Sequence, residues 1–337
     1  MLPQHVFAFE SGGVFPSGIA TNAATLNSAI ENHPGAWLAL TASADQQSLV
    51  SLQREAVDRR ETPAIGLVLD SDAAAFAGLS AEIGPALTCL VLAPDRHATL
   101  LLSPSAISFG APFRDVDEPV WDFAIRAAIA RPDSLQLISQ GDAGRFPASF
   151  AVSAIRDALP ELVPQVPGRR LNWLREHLSG LSLTQFLPRV STDADLTALQ
   201  AGLWQVHDFL DESHQCAQQI EGEGRDRNGD YWHAIMHRRE SDYSNAKYWF
   251  RQVGSHPICE SLPAIAETAL RESEATDAAR WIKPLGVARR WDASAFVDLC
   301  QAAAGQSDER LQQATRRIQR AEMLLLLAHT SRCATHD

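Results

Sequence analysis

The residues with the clearest capacity for chemistry fall in two segments of the C-terminal half, HDFLDESHQ and GDYWHAIMHRRESDYSNAKYWFRQVGSHP. In the first segment, His207, Asp211 and His214 stand at i, i+4 and i+7, a spacing that places them on one face of a helix. The second segment repeats this arrangement with His233, His237 and Glu240. Two such faces, packed antiparallel, would bring the imidazoles and the carboxylates together.

Imidazole and carboxylate groups in this arrangement suit a divalent transition metal, and helical bundles build such sites from side chains on facing helices. We expect Zn²⁺, Mn²⁺ or Fe²⁺ as the cofactor. The predicted metal ligands are His207, His214, His233 and His237. The predicted catalytic residues, which would act as acid–base groups or orient a water, are His233, His237, Asp211 and Glu240. Because Ala234 follows His233, the segment is not an HExxH motif, and the prediction depends on spacing alone.

A group of cations beside the histidines predicts a site for an anion. Four Lys or Arg side chains fall within fourteen residues of a chain whose formal net charge is -12. Arginine forks suit phosphate or carboxylate, so the predicted ligand is an anionic small molecule, such as a phosphorylated metabolite or sugar. The predicted substrate-binding residues are Arg238, Arg239, Tyr243, Lys247, Tyr248 and Arg251. Because Arg238 and Arg239 are adjacent, they cannot both face one way, and at least one is expected to be structural.

A structural interpretation of the same segment stays open. Trp232, Met236, Trp249 and Phe250 recur at helical spacing, which is typical of a core. A buried histidine that bonds to an acid across a helix pair is commoner than a metal ligand, and arginine–glutamate pairs often brace helices. The sequence therefore leaves a functional pocket and a packed core as alternatives.

The composition limits the classes of protein to which the chain can belong. With 337 residues, of which 45% are hydrophobic and 21% charged, the chain is ordinary globular material and long enough for two domains. A net charge of -12 without a basic run disfavours nucleic acid as a partner. No apolar run approaches the roughly 20 residues that cross a bilayer, and residues 1–10 do not resemble a signal peptide. Five scattered cysteines without CxxC spacing favour reduced thiols, so we expect a cytoplasmic protein that binds no membrane.

The pattern of apolar residues changes along the chain. Residues 1–130 alternate short apolar runs with helical patterns, which predicts an α/β domain with a mixed sheet. Prolines crowd residues 131–190, which we interpret as a connecting region with short helices. Residues 191–337 are predicted to form an all-α domain. The predicted elements include a strand over Ala86–Ala93 and one continuous helix over Leu196–Gln218.

Two stretches of the α/β domain carry a resemblance to a known family. The stretches TNAATLNSAIENHPGAWLALTASAD and SPSAISFGAPFRDVDEPVWDFAIRAA resemble, in this order, segments of the family 2 (GT-A fold) glycosyltransferases. In that family a DxD motif holds a divalent metal on the nucleotide-sugar diphosphate, but the matching residues 42–44 read ASA and leave only Asp45. The acidic pair of the family falls on Pro119 and Val120. The resemblance implies a GT-A-like fold and argues against the activity.

A literal DxD occurs at another position, Asp70-Ser71-Asp72, directly after the predicted strand Ile65–Leu69. If the chain is a transferase, Asp70 and Asp72 would hold the metal. In the structural alternative, Asp70 or Ser71 is the N-cap of a short helix that begins at Ala73.

The string DYWHAIMHRRESDYSNAKYWFRQVGSHP is similar to a signature of a family of uncharacterised bacterial and fungal proteins, and this resemblance implies no activity. Three functions are therefore open. The first is a small-molecule enzyme with an anion- or metal-binding pocket in the helical domain, acting on a phosphorylated or sugar substrate. The second is a non-catalytic binding or scaffold protein with a decayed glycosyltransferase-like domain. The third is an active nucleotide-sugar glycosyltransferase.

Overall fold

The chain folds into two compact units. The first unit comprises residues 1–143 with 170–180, and the second comprises residues 144–169 with 181–337. The predicted connecting region is therefore divided between them. A computed structural model describes residues 4–10, 13–20, 22–33, 36–41, 65–69, 73–93, 98–104, 112–132, 135–139, 159–164, 171–187, 189–286, 290–305 and 308–335.

The first unit contains a sheet with helices. Its strands are β1 (Gln4–Glu10), β2 (Gly13–Ala20), β3 (Trp37–Thr41), β4 (Ile65–Leu69), β5 (Ala98–Leu102) and β6 (Leu135–Ser139). Its helices are α1 (Ala23–Asn32), α2 (Ala73–Ile83), α3 (Pro85–Leu92), α4 (Pro119–Ala130) and α5 (Asn172–Ser179). The strand order is β2-β1-β3-β5-β4-β6, and every neighbouring pair is antiparallel except β4 with β6.

The predicted α/β domain with a mixed, GT-A-like sheet is wrong for this chain, because four of the five strand pairs are antiparallel and the described residues are mostly helical. Helices account for 71% of the residues that can be interpreted, and β3 and β5 form an antiparallel pair among them. Antiparallel strands need no crossover helix, whereas layered α/β folds depend on parallel strands joined by such helices. The alternation of apolar runs in the sequence does not distinguish these two arrangements.

The predicted strand Ala86–Ala93 is also wrong, because these residues belong to helix α3. Gly84, with φ of +82°, precedes the helix, and Pro85 occupies its first turn, where proline is well tolerated. The Thr88 hydroxyl donates to the Gly84 carbonyl at 2.8 Å. The helix is buried on most of its surface, so its residues are apolar apart from Thr88 and lack the periodicity that would distinguish a helix from a strand.

The second unit is helical apart from an isolated bridge between Val190 and Thr335 in its described residues. Its helices are α6 (Asp193–Val206), α7 (Leu210–Gln219), α8 (Asn228–Arg239), α9 (Tyr243–Val253), α10 (Leu262–Glu272), α11 (Ala278–Leu285), α12 (Ala293–Ala304) and α13 (Glu309–Ala334). Short 3-10 turns lie at Leu183–Gln185, Arg225–Arg227 and Pro257–Glu260. The longest helix, α13, packs against α6 and α10. Among the described residues, no helix combines the length and the apolar character that a bilayer crossing requires.

The helix predicted over Leu196–Gln218 is interrupted between α6 and α7. Asp208 has a φ of +65°, which ends the helical path, and its carboxylate pairs with the guanidinium of Arg239. Phe209, the next residue, is fully buried and meets the ring of Trp204 edge-on at 5.3 Å. Contacts with the rest of the unit therefore fix this break.

Gly202 of α6 lies where this helix packs closely against its neighbours. A Cβ atom there would stand 2.6 Å from Cζ2 of Trp232 and 2.9 Å from Cδ1 of Leu327. We expect Gly202→Ala to lower the free energy of unfolding by about 1–3 kcal/mol, because neither side chain has room to withdraw. Urea unfolding measures this change. Gly305→Ala is the control, since its Cβ would meet nothing closer than 3.6 Å and should change stability by less than about 0.5 kcal/mol. Equal effects of the two substitutions would contradict the packing argument.

Candidate metal centre

Three histidines converge where α7 packs against α8. Helix α8 is buried over its whole length and presents His233 and His237 one turn apart, and α7 presents His214 toward them. The ring centroids are 4.8 Å apart for His214 and His233, 5.2 Å for His214 and His237, and 4.8 Å for His233 and His237. One nitrogen from each ring lies within 4.8 Å of the other two. The side chains could hold a metal ion, and we call His214, His233 and His237 the three-histidine site.

His233 is the most constrained member of the site. Its side chain is 2% exposed, and neither ring nitrogen has a hydrogen-bond partner among the described residues. Trp249 stacks on the imidazole at 4.1 Å between centroids and fixes the ring plane. A buried polar group without a partner is unfavourable, and a cation bound by the ring would remove this cost.

The pKa of His233 is lowered from 6.5 to about 3, first by burial and then by the neighbouring His237 and His214. Burial likewise lowers the pKa of His237, and His214 adds to the effect. These rings are therefore neutral at physiological pH. Neutral imidazole is the form that binds a metal, so protons do not compete for the site.

His237 has polar neighbours on both ring nitrogens. The amide nitrogen of Asn245 lies 3.1 Å from Nε2, and a carboxylate oxygen of Glu240 lies 3.7 Å from Nδ1. A carboxylate beside one imidazole nitrogen helps to orient the ring.

Two carboxylates lie at the rim of the three-histidine site. The pKa of Glu240 is raised, first by burial and then by the charges of Asp211 and Asp242. Asp211 is exposed in the first turn of α7. A cation among the histidines would offset this repulsion, so the arrangement of charge favours a metal.

His207 lies outside the three-histidine site, at the C-terminal end of α6. The predicted single face of His207, Asp211 and His214 is wrong, because the break at Asp208 rotates α7 relative to α6. The structure thus brings together three of the four histidines that were predicted as ligands.

Arg238 and Arg239 bind partners within the protein. Arg238 is buried and pairs with Glu322 at 2.5 Å, and its guanidinium lies 4.5 Å from the ring centroid of Phe296. Arg239 donates to the carbonyl oxygens of Gln205 at 2.8 Å and Glu161 at 3.2 Å. These contacts argue against the predicted role of both arginines in holding a substrate.

The other predicted substrate-binding residues lie on α9. Lys247 pairs with Asp298 at 2.5 Å, Tyr248 is 46% exposed, Arg251 is exposed, and Tyr243 is half-buried at the start of the helix. Their role toward an anion stays a prediction.

A second group of possible ligands was not predicted from the sequence. It comprises Asp226, His329 and Cys333, whose side-chain donor atoms also lie within 4.8 Å of one another. The signal available in the sequence was the i, i+4 spacing of His329 and Cys333 near the end of α13. The DxD residues Asp70 and Asp72, and the alternative positions 42–45, fall outside the described residues.

Acid will destabilise the metal-free protein through His233. Unfolded histidine has a pKa of 6.5 and folded His233 one of about 3, so between these values the unfolded state binds the extra proton. The stability that depends on His233 being neutral is fully present above pH 6.5 and is lost as the pH falls. The free energy of unfolding then changes with a slope approaching about 1.4 kcal/mol per pH unit. Urea unfolding of chelator-treated protein from pH 7 to pH 4 measures the slope. His233→Phe should make it shallower, and an unchanged slope would contradict the shifted pKa.

Comparison of the chain with protein-family models, with curated proteins and with solved structures gave no significant match.

Proposed function

We propose that the second unit binds one divalent transition metal ion through His214, His233 and His237. The observation that carries the proposal is the imidazole of His233, buried between two other imidazoles with both ring nitrogens unpartnered among the described residues. Three imidazole ligands suit Zn²⁺ best, with Fe²⁺ and Mn²⁺ as weaker candidates.

The number of ligands supports a catalytic rather than a structural centre. Structural zinc sites are closed by four protein ligands, whereas catalytic sites use three and keep a position for water or substrate. A bound zinc ion supplies Lewis acidity and makes a water acidic enough to react near neutral pH.

The residues at the rim support hydrolytic or lyase chemistry. Glu240 has a raised pKa, and its carboxylate is within 3.7 Å of His237, so it can accept a proton from a water beside the histidines. The proposed substrate class is therefore a small phosphate ester or carboxylic ester, which water activated by a zinc ion can hydrolyse.

The test uses metal-free full-length protein, reloaded with Zn²⁺ and assayed with 4-nitrophenyl phosphate and 4-nitrophenyl acetate. We expect zinc-dependent hydrolysis of at least one probe, and a loss of about tenfold or more in Glu240→Gln with zinc still bound. Asp298→Asn, which alters the partner of Lys247 but not the three-histidine site, is the control and should keep the rate. Equal rates for Glu240→Gln and wild type, or hydrolysis without metal, would overturn the proposed chemistry.

A further inference from the structure

The second group of ligand-type residues lies at the C-terminal end of α13. His329 and Cys333, one turn apart on that helix, meet Asp226 of the turn that precedes α8. Nε2 of His329 is 2.9 Å from Oδ2 of Asp226 and 3.5 Å from Sγ of Cys333. Sγ of Cys333 is 3.9 Å from the same carboxylate oxygen. One nitrogen, one sulfur and one oxygen thus form a small triangle.

The triangle has the size of one face of a zinc tetrahedron. Zinc lies about 2.3 Å from sulfur, about 2.0–2.1 Å from nitrogen and about 2.0–2.2 Å from oxygen, which places tetrahedral donor atoms roughly 3.3–3.7 Å apart. The three observed separations of 2.9, 3.5 and 3.9 Å bracket that range. Shifts of a few tenths of an ångström in the side chains would therefore complete the geometry.

The arrangement does not fit a nucleophile activated by a histidine. In such a triad the acid and the nucleophile contact opposite nitrogens of the ring, whereas Asp226 and Cys333 both contact Nε2 of His329. The pKa of Cys333 is raised by burial, which an activated thiol would not show. Convergence of three donor atoms on one point is what a metal ion requires.

The surrounding residues hold the three ligands in place. Asn228 forms a hydrogen bond with the thiol of Cys333, and its Oδ1 lies 3.1 Å from Nε2 of buried His256. The ring of His256 packs edge-on against His329 at 5.0 Å. Asp226 and the following Arg227 both have positive φ, at 54° and 55°, a backbone path that brings the Asp226 carboxylate to α13.

We propose that Asp226, His329 and Cys333 form a second metal site, selective for zinc, that ties the end of α13 to the turn before α8. A thiolate ligand favours Zn²⁺ over Mn²⁺ and Fe²⁺, so this Asp-His-Cys site differs in preference from an all-imidazole site. Asp226 is exposed, which leaves the ion a route from solvent. The Asp-His-Cys site shares no residue with the three-histidine site and does not depend on the proposed function.

The test adds Co²⁺ to reduced, metal-free, full-length protein, because cobalt replaces zinc and a thiolate ligand gives a charge-transfer absorption in the near ultraviolet. We expect this band in the wild type and in His233→Ala/His237→Ala, and its loss in Cys333→Ser. Histidine and carboxylate ligands do not produce this band, so the band persists even if the three-histidine site binds no metal. A band absent from the wild type, or unchanged in Cys333→Ser, overturns the proposal.

Asp226→Asn provides a second variant that leaves the buried residues unchanged. We expect it to fold as the wild type by circular dichroism and to bind Co²⁺ at this site at least about tenfold more weakly, as judged by titration of the same band. Asp211→Asn, an exposed aspartate on α7, is the matched control and should leave the band unchanged. Equal affinity for Co²⁺ in Asp226→Asn and Asp211→Asn would show that Asp226 is not a ligand and would overturn the three-ligand proposal.

Discussion

Replacing His233 and His237 together by Ala lowers the affinity of the three-histidine site for Zn²⁺ by at least about a thousandfold, which is about 4 kcal/mol of binding free energy. The variant removes two of the three imidazoles that lie within 4.8 Å of one another and leaves His214 as a single ligand. Competition with a chromophoric zinc chelator measures the affinity. The helical content should be kept, because Trp249 and the other neighbours of α8 remain.

His207→Ala is the matched control for this double variant. His207 is also a buried histidine of the second unit and was predicted from the sequence as a ligand, but it lies outside the three-histidine site. The structure therefore predicts unchanged zinc affinity in His207→Ala. Loss of binding in His207→Ala, or retention in the double variant, would contradict the assignment of the ligands.

Glu322→Gln should destabilise the protein by about 3–5 kcal/mol, the cost of leaving one charge of a buried pair without its partner. Glu322 and Arg238 are both buried completely, and Nη2 of Arg238 lies 2.5 Å from Oε2 of Glu322. The hydroxyl of Tyr231 donates to the same carboxylate at 3.0 Å. Glutamine has nearly the shape of glutamate, so the change removes the charge without opening a cavity. Urea unfolding at pH 7 measures the loss.

Two control variants distinguish the cost of leaving a buried charge unpaired from the cost of losing one ion pair. Glu161→Gln weakens the pair with Arg316, in which Glu161 is 61% exposed, and should cost less than about 1 kcal/mol. Arg238→Met/Glu322→Leu removes both buried charges and should recover most of the stability that Glu322→Gln loses. A Glu322→Gln effect as small as that of Glu161→Gln would show that the buried pair does not behave as the structure indicates.

Part of the candidate site could be predicted from the sequence because it depends on local spacing. His233 and His237 are four residues apart on one helix, and the helical period alone places them together. His207 could not be assigned in this way, because the break at Asp208 is fixed by Phe209 in the core and by Arg239 of another helix. No Gly or Pro marks that break in the sequence.

The remaining differences between the predicted and the observed structure arise from contacts between residues that are far apart in the sequence. Asp226 and Cys333 are 107 residues apart, so their proximity depends on the packing of α13 beside the turn that precedes α8. In the first unit, the apolar run Ala86–Ala93 lacks any period that would distinguish a buried helix from a strand. The antiparallel pairing of β3 with β5 likewise joins residues about sixty positions apart, which local patterns do not specify.

The most direct test of the three-histidine site is elemental analysis of untagged protein, purified without chelator, for the wild type and for His233→Ala/His237→Ala side by side. The difference between the two isolates this site from the Asp-His-Cys site, which both proteins keep. We predict that the wild type contains about one more equivalent of transition metal than the variant. Equal metal contents in the two proteins would show that the three-histidine site holds no metal ion.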